Sequence, residues 1–225
     1  MDQETLIALA ALWRKILRTD RDKLFGPDAH LLLNRNWGDL IPQPGYVGSK
    51  YRPGGLAFVL LHPGGGPEDG LGETDRLQYE RLNWLRDSSD HDLVKRFDEL
   101  MGVLREIMPT WEIVRRCIDP IITGSSLDFS KISYFNLVKW KPSTPNGLNP
   151  LYQRSWQDHT GEQARLLNPS VVIAVGKTAG KFLQRHRSAP KQFDIPLFIG
   201  GNLGERGRAQ IRTICAWLSE NPVDP

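Results

Sequence analysis

Short apolar runs separated by longer polar stretches are the clearest pattern in the chain. Four such runs, at residues 56–61, 132–135, 171–175 and 197–199, are mostly apolar. A strand that is covered on both faces, as in a parallel sheet, has this composition. Each run is followed by glycine, histidine-proline or asparagine, which interrupt regular structure. The pattern therefore predicts four short strands of one parallel sheet.

Between these strands the chain carries segments with helical character. Helices are predicted at residues 6–17, 74–85, 92–107, 157–167, 178–185 and 209–220. Strands that alternate with helices predict an α/β fold in which helices cover both faces of the sheet. Residues 25–53 are rich in Gly, Pro and Asn without a sustained period, which predicts a long ordered loop. We expect a single domain over residues 1–225, with the N-terminal helix and loop of residues 1–50 packed on it.

Composition narrows the class of protein. The 225 residues carry a net charge of +3, and hydrophobic residues make up 40%, so neither chain-wide disorder nor a strongly basic nucleic-acid binder is indicated. No apolar run approaches the roughly 20 residues of a membrane span. The acidic opening, Met1 to Glu4, is unlike a signal peptide. Two cysteines alone cannot form a zinc or iron–sulfur site. We expect a cytoplasmic protein without cofactor, metal or membrane partner.

Familiar nucleotide-binding motifs are incomplete in this chain. The Gly-Lys-Thr at residues 176–178 lacks the glycine five positions earlier that a phosphate-binding loop requires. No GxGxxG follows the first predicted strand. In parallel sheets, ligands bind at the carboxyl ends of the strands. The chemistry is therefore expected in the segments that follow the strands, at residues 62–69, 136–146, 176–177 and 200–206.

Three of these segments, in order, resemble motifs of the uracil-DNA glycosylase superfamily. They are residues 58–64 (FVLLHPG), residues 133–142 (SYFNLVKWKP) and residues 166–179 (LLNPSVVIAVGKTA). The resemblance covers about residues 50–220. It implies a three-layer α/β/α sandwich with a central four-stranded parallel sheet. It also implies an enzyme that flips a base out of DNA and cleaves its N-glycosidic bond.

The chain departs from this family at three points. The family's fourth motif is usually His-Pro-Ser, but residues 200–204 read GGNLG and contain no histidine. His62 stands where the family places Asp, Asn or Ala. The two cysteines are too few for the iron–sulfur cluster of some branches, so no cluster is expected. The resemblance therefore indicates a divergent member, in which ordinary uracil repair is in doubt.

Asn136 and His62 occupy the two central positions of the motifs. The Asn136 amide can donate and accept hydrogen bonds at once, which suits the edge of a pyrimidine. The alternative is an ordinary asparagine in a turn at the end of a strand. His62 could activate the attacking water or protonate the leaving base. Its alternative is a structural histidine that bonds to a turn carbonyl.

The turn after His62 supplies further candidates. Asp69 and Glu68 could act as a base for water or stabilise an oxocarbenium-like sugar, or they could cap the helix that follows. The three glycines Gly64, Gly65 and Gly66 lie where the best-known branch places a ring against uracil C5. Their lack of side chains predicts either an open pocket for a bulky 5-substituted pyrimidine or a loop that requires positive φ.

Several residues near the strand ends are candidates for DNA contact. Lysines and arginines could bind phosphates, and a leucine could replace the flipped base. These candidates are Lys139, Lys141, Lys177, Asn202, Leu203, Arg206 and Arg208. Together the observations predict a monomeric, monofunctional DNA glycosylase that excises uracil or a bulky modified cytosine from single- or double-stranded DNA, in repair or phage defence. The alternatives are a catalytically silent DNA- or protein-binding member and a nucleoside hydrolase.

Overall fold

Five strands form one mixed sheet at the centre of the protein. A computed structural model describes residues 1–34, 40–63, 73–144, 147–197 and 203–223, and the side chains of residues 73–75 are not described. The strands are β1 (Tyr46–Val47), β2 (Leu56–Leu60), β3 (Ile132–Asn136), β4 (Val171–Val175) and β5 (Lys191–Ile195). Their order across the sheet is β1-β3-β2-β4-β5. The pairs β2–β3, β2–β4 and β4–β5 are parallel, whereas β1 pairs with β3 in the antiparallel direction.

The α/β class predicted from the sequence is confirmed, and three strands lie where the apolar runs predicted them. Every residue of β2, β3 and β4 is buried, because these strands are covered on both faces. Strand β5 was not predicted, because the fourth apolar run comes after it in the sequence. β5 spans Lys191–Ile195, Leu197 lies beyond it, and residues 198–199 fall outside the described residues. Polar and apolar residues are mixed in β5, which lies at the edge of the sheet and gives no continuous apolar run.

The described helices agree with the six predicted ones and add three shorter segments. The helices are α1 (Gln3–Arg18), α2 (Arg21–Phe25), α3 (Glu73–Arg86), α4 (Leu93–Ile107), α5 (Asp119–Gly124), α6 (Asn149–Ser155), α7 (Gly161–Leu167), α8 (Lys177–His186) and α9 (Glu205–Glu220). The predicted helix at residues 157–167 is α7 preceded by a π-helical turn, Trp156–Thr160. The region predicted as a long loop contains α2, a 3-10 turn (Gly26–Leu31) and β1.

Helix α1 is fixed at both its start and its inner face. The Asp2 carboxylate accepts a hydrogen bond of 2.8 Å from the Thr5 amide, which caps an otherwise unpaired N–H group. The apolar side chains of α1 are buried, and the Trp13 ring meets the Phe97 ring of α4 edge to face at 5.6 Å. Buried side chains from α1 to α9 form one continuous core.

None of the described helices combines the length and the apolar character that crossing a membrane requires.

Candidate active site

The ends of β2 and β3 lie side by side at the carboxyl edge of the sheet. Leu60 of β2 pairs with Asn136 of β3 in parallel register, and the Leu137 amide donates to the Leu60 carbonyl at 2.8 Å. From β2 the chain goes to β3 on one side, and from β3 it returns past β2 to β4 on the other. In open α/β sheets such a change of direction marks the crevice where ligands bind. Here the change of direction lies between β2 and β4, so His62, which follows β2, is next to this crevice, whereas Asn136 ends the strand on the other side of β2.

A small cavity lies beside Asn136. It is enclosed by β3, α3, α4 and the segment at residues 43–46. Three residues with amide side chains line it (Gln43, Gln78 and Asn136), together with the aromatic residues Trp111 and Tyr134. The remaining lining is largely apolar and comes from residues 44–46, α3, α4 and the turn after α4. As described, the cavity has room for about one water molecule, so a larger ligand would enter only if the walls moved apart.

Asn136 has a hydrogen-bonding group to spare at this cavity. The residue is 1% exposed, and its Oδ1 atom accepts no hydrogen bond from any residue that the structure describes. A buried acceptor without a partner costs about 1–3 kcal/mol, so most buried polar atoms find one. Tyr134 lies two residues earlier and faces the same side of the sheet. Burial raises the pKa of Tyr134 to about 12, and the neighbouring Asn136 amide opposes that rise.

His62 is half-buried at the end of β2, and it is not among the described residues that line the cavity. Its Nδ1 atom lies 3.1 Å from the Pro63 carbonyl oxygen, the contact that a structural turn histidine would make. Burial lowers the pKa of His62 below 6.5, and the Pro63 carbonyl partly opposes this. The imidazole is therefore neutral at neutral pH, with the proton on Nδ1 if it donates to Pro63. That leaves Nε2 able to accept a proton, so the geometry favours a base over an acid.

The segment at residues 43–45 forms the cavity wall that faces β3. The backbone N–H of Gln43 donates to the Lys139 carbonyl at 2.8 Å, and the Trp13 indole donates to the Gly45 carbonyl at 3.4 Å. Gly45 has φ of 123°, and a Cβ atom there would overlap the Tyr134 carbonyl oxygen. Only glycine therefore lets this wall approach β3 so closely.

The position of Lys139 contradicts the prediction that this residue binds phosphate. Its side chain is fully buried, and its Nζ atom donates to the Asn136 carbonyl at 2.7 Å and to the Gln163 Oε1 atom. A group enclosed in this way cannot reach a DNA backbone. Burial also lowers the pKa of Lys139 well below its ordinary value. Because Lys139 does not line the cavity, it is not placed to act as a nucleophile there either.

The other predicted DNA contacts lie at the surface to different degrees. Lys177, Arg206 and Arg208 are exposed, and Lys141 is half-exposed. Lys177 is the first residue of α8 and follows β4 directly, whereas Arg206 and Arg208 lie in the first turn of α9. Leu203 does not project as the predicted wedge, because it is half-buried and its side chain packs over Gly207.

Several predicted site residues cannot be placed. Gly64, Gly65, Gly66, Glu68, Asp69 and Asn202 all lie outside the described residues. Within the described part of the chain, no three His, Cys, Asp or Glu side chains come together as metal ligands would.

The sequence analysis missed several residues that line the cavity, namely Gln43, Gln78, Trp111 and the other residues of the wall at residues 43–45. Glutamine in a helix or loop carries no motif, so Gln43 and Gln78 gave no signal. Tyr134 could have been found, because residues two apart on a strand share a face and Asn136 was already a candidate.

Comparison with known proteins does not assign the chain to a family. No protein-family model matches it, and no significant match was found among curated proteins.

Proposed function

We propose that this protein is a DNA glycosylase that hydrolyses the bond between deoxyribose and an aberrant or 5-modified pyrimidine. The observation that supports this most directly is the buried Asn136 amide beside this cavity, whose Oδ1 atom accepts no hydrogen bond from the described residues. A flipped pyrimidine offers both donors and acceptors on its edge, and it would give this oxygen the hydrogen bond that no described residue supplies.

The character of the cavity agrees with a flat heterocycle as ligand. The rings of Trp111 and Tyr134 lie 6.1 Å apart with an interplanar angle of 58°. Such rings offer apolar contact to a base, while Gln43 and Gln78 add amide groups that can complete its hydrogen bonds. A base that enters would exchange water for these partners.

His62 is proposed as the base that activates water. A neutral imidazole takes a proton from the water as its oxygen bonds to C1′ of the sugar. The N-glycosidic bond breaks, and its electron pair leaves with the base, which is protonated by solvent. Asp69 or Glu68, which follow in the same turn, would stabilise the positive charge that develops on the sugar.

The proposed fold and partner follow from membership in the uracil-DNA glycosylase superfamily. Right-handed crossovers would place α3 and α4 on one face of the sheet and α6 to α8 on the other, which gives three layers. Lys177, Arg206 and Arg208 are the exposed cations proposed to contact phosphates. Gly64, Gly65 and Gly66 carry no side chains, and we propose that they leave room for a 5-hydroxymethyl or glycosylated cytosine, as expected for defence against phages with modified DNA.

The test is a screen in which the protein is incubated with modified DNA and released bases are detected by mass spectrometry. Oligonucleotides carry uracil, mismatched thymine, 5-hydroxymethylcytosine or its glycosylated form, and Asn136→Ala serves as the inactive comparison. We expect release of at least one base by the native protein and none by Asn136→Ala. Binding of DNA without alkali-labile sites would instead identify a silent member. Cleavage of free nucleosides but not of DNA would identify a nucleoside hydrolase.

A further inference from the structure

A buried side-chain bridge joins the two walls of the cavity from behind. The Lys139 Nζ atom donates at 2.7 Å to the carbonyl of Asn136, the residue with the unpartnered side-chain oxygen. The same ammonium donates to Gln163 Oε1 in α7. Gln163 Nε2 in turn donates at 3.0 Å to the carbonyl of Pro44, which lines the opposite wall. Both Lys139 and Gln163 have no exposed surface.

We propose that Lys139 and Gln163 are positioning residues, which set the distance and orientation between Asn136 and the wall at Pro44. This inference rests on the proposed function of Asn136 in base recognition. Neither residue touches the cavity, so each acts through backbone carbonyl groups. Holding a reacting group within a fraction of an ångström is worth much in rate, and such support comes from side chains behind the site.

The polarity of the bridge explains why these two residue types are present. Gln163 must accept from a lysine on one side and donate to a carbonyl on the other, and an amide is the side chain that does both. A glutamate at residue 163 would pair better with Lys139 but would turn a carboxylate oxygen towards the Pro44 carbonyl. The bridge therefore predicts that a stronger ion pair gives a poorer site.

Neighbouring contacts show that the segment after β3 is held closely from the same side. The Ser155 and Thr160 hydroxyl groups both donate to the Leu137 carbonyl, at 2.6 and 2.9 Å. These contacts fix the backbone next to Asn136 but make no link to Pro44. Backbone hydrogen bonds from Gln43 to Lys139 and between β1 and β3 also join the walls, and Lys139 and Gln163 add the side-chain link to them.

The experiment compares Lys139→Met and Gln163→Glu with a control, Tyr51→Phe. Tyr51 precedes β2 and does not line the cavity. Its buried hydroxyl donates to the Leu167 carbonyl at 3.0 Å. We expect Lys139→Met and Gln163→Glu to lower the single-turnover rate of base release by about 100-fold, as a displacement of about 1 Å does. Their affinity for DNA should change little. Tyr51→Phe should melt earlier and retain its rate.

A second readout separates this inference from the proposed function. The side-chain amide signals of Asn136 are identified in the ¹H–¹⁵N spectrum by their absence in Asn136→Leu. We expect them to shift or double in Gln163→Glu and in Lys139→Met, if that variant folds, but to stay in place in Tyr51→Phe. If the native protein releases no base, the proposed function fails, while these signals still test the bridge. Unchanged signals in a folded Gln163→Glu variant, or rates that fall only as far as those of Tyr51→Phe, would overturn the inference.

Discussion

Replacing Asn136 with leucine should abolish base release without lowering the stability of the protein. In most proteins, removal of a buried amide destabilises, because its hydrogen bonds are lost. Here the Oδ1 atom has no described partner, so its removal relieves a desolvation cost of about 1–3 kcal/mol. Loss of the interaction with Tyr134 costs about 0.5–1.5 kcal/mol in return. The free energy of unfolding should therefore stay equal or rise by up to about 2 kcal/mol.

Thermal unfolding and single-turnover base release measure the two effects on the same samples. Each kcal/mol corresponds to a change in Tm of roughly 2–4 °C for a chain of this size. Base release should fall at least about 30-fold, because two hydrogen bonds to the base are lost at about 1–3 kcal/mol each and about 1.36 kcal/mol is tenfold in rate. Ser133→Ala is the matched control, since Ser133 is equally buried and unpartnered on the same strand but faces the other side. A clear fall in the Tm of Asn136→Leu would refute the claim that the Oδ1 atom has no partner. Retained activity would refute the role of Asn136 in base recognition.

Two further predictions concern the turn after β2 and the cavity wall. Because burial holds the pKa of His62 below 6.5, the rate of base release should be full above that pH and fall as the imidazole protonates in acid. His62→Ala should lower the plateau about 10²–10⁴-fold and remove this acid limb from the pH–rate profile, and an unaltered profile would leave His62 a structural role only. Gly45→Ala should lower the free energy of unfolding by about 1–3 kcal/mol because of the positive φ, and further because the Cβ atom overlaps the Tyr134 carbonyl oxygen. The same variant should also lose activity. Gly54 also has a positive φ but has open space around it, so Gly54→Ala should show in thermal unfolding only the loss that comes from the positive φ.

The sequence predicted the centre of the sheet better than its edges. Strands β2, β3 and β4 are buried on both faces, so their apolar runs are visible without any knowledge of neighbours. β5 is an edge strand with half-exposed polar residues, so it gives no apolar run, and the strand was predicted at the more apolar stretch after it. β1 has two residues and exists only because β3 is available to pair with it. Tertiary contacts, which a local pattern does not contain, decide both cases.

The candidate site was predicted in part for the same reason. Asn136 became a candidate because it is a polar residue at the end of an apolar strand. Lys139 was misassigned, since a lysine three residues later is normally solvated. Its burial depends on Gln163 and on the Asn136 carbonyl, which together give a cation two acceptors in the interior. Gln43 and Gln78 come from parts of the chain far from β3, and only the fold brings them to the cavity.

The bridge from Gln163 to Pro44 also dictates when the cavity can be completed during synthesis. The two residues are 119 positions apart, so the wall at Pro44 leaves the ribosome long before its partner exists. At about 5–20 residues per second, the delay is roughly 6–24 s. For most of this time, until β3 is made, Tyr46 and Val47 also lack the strand with which they pair. A nascent chain that stops before β3 would therefore carry an N-terminal segment with unpaired strand edge and apolar surface, the kind of intermediate that chaperones bind.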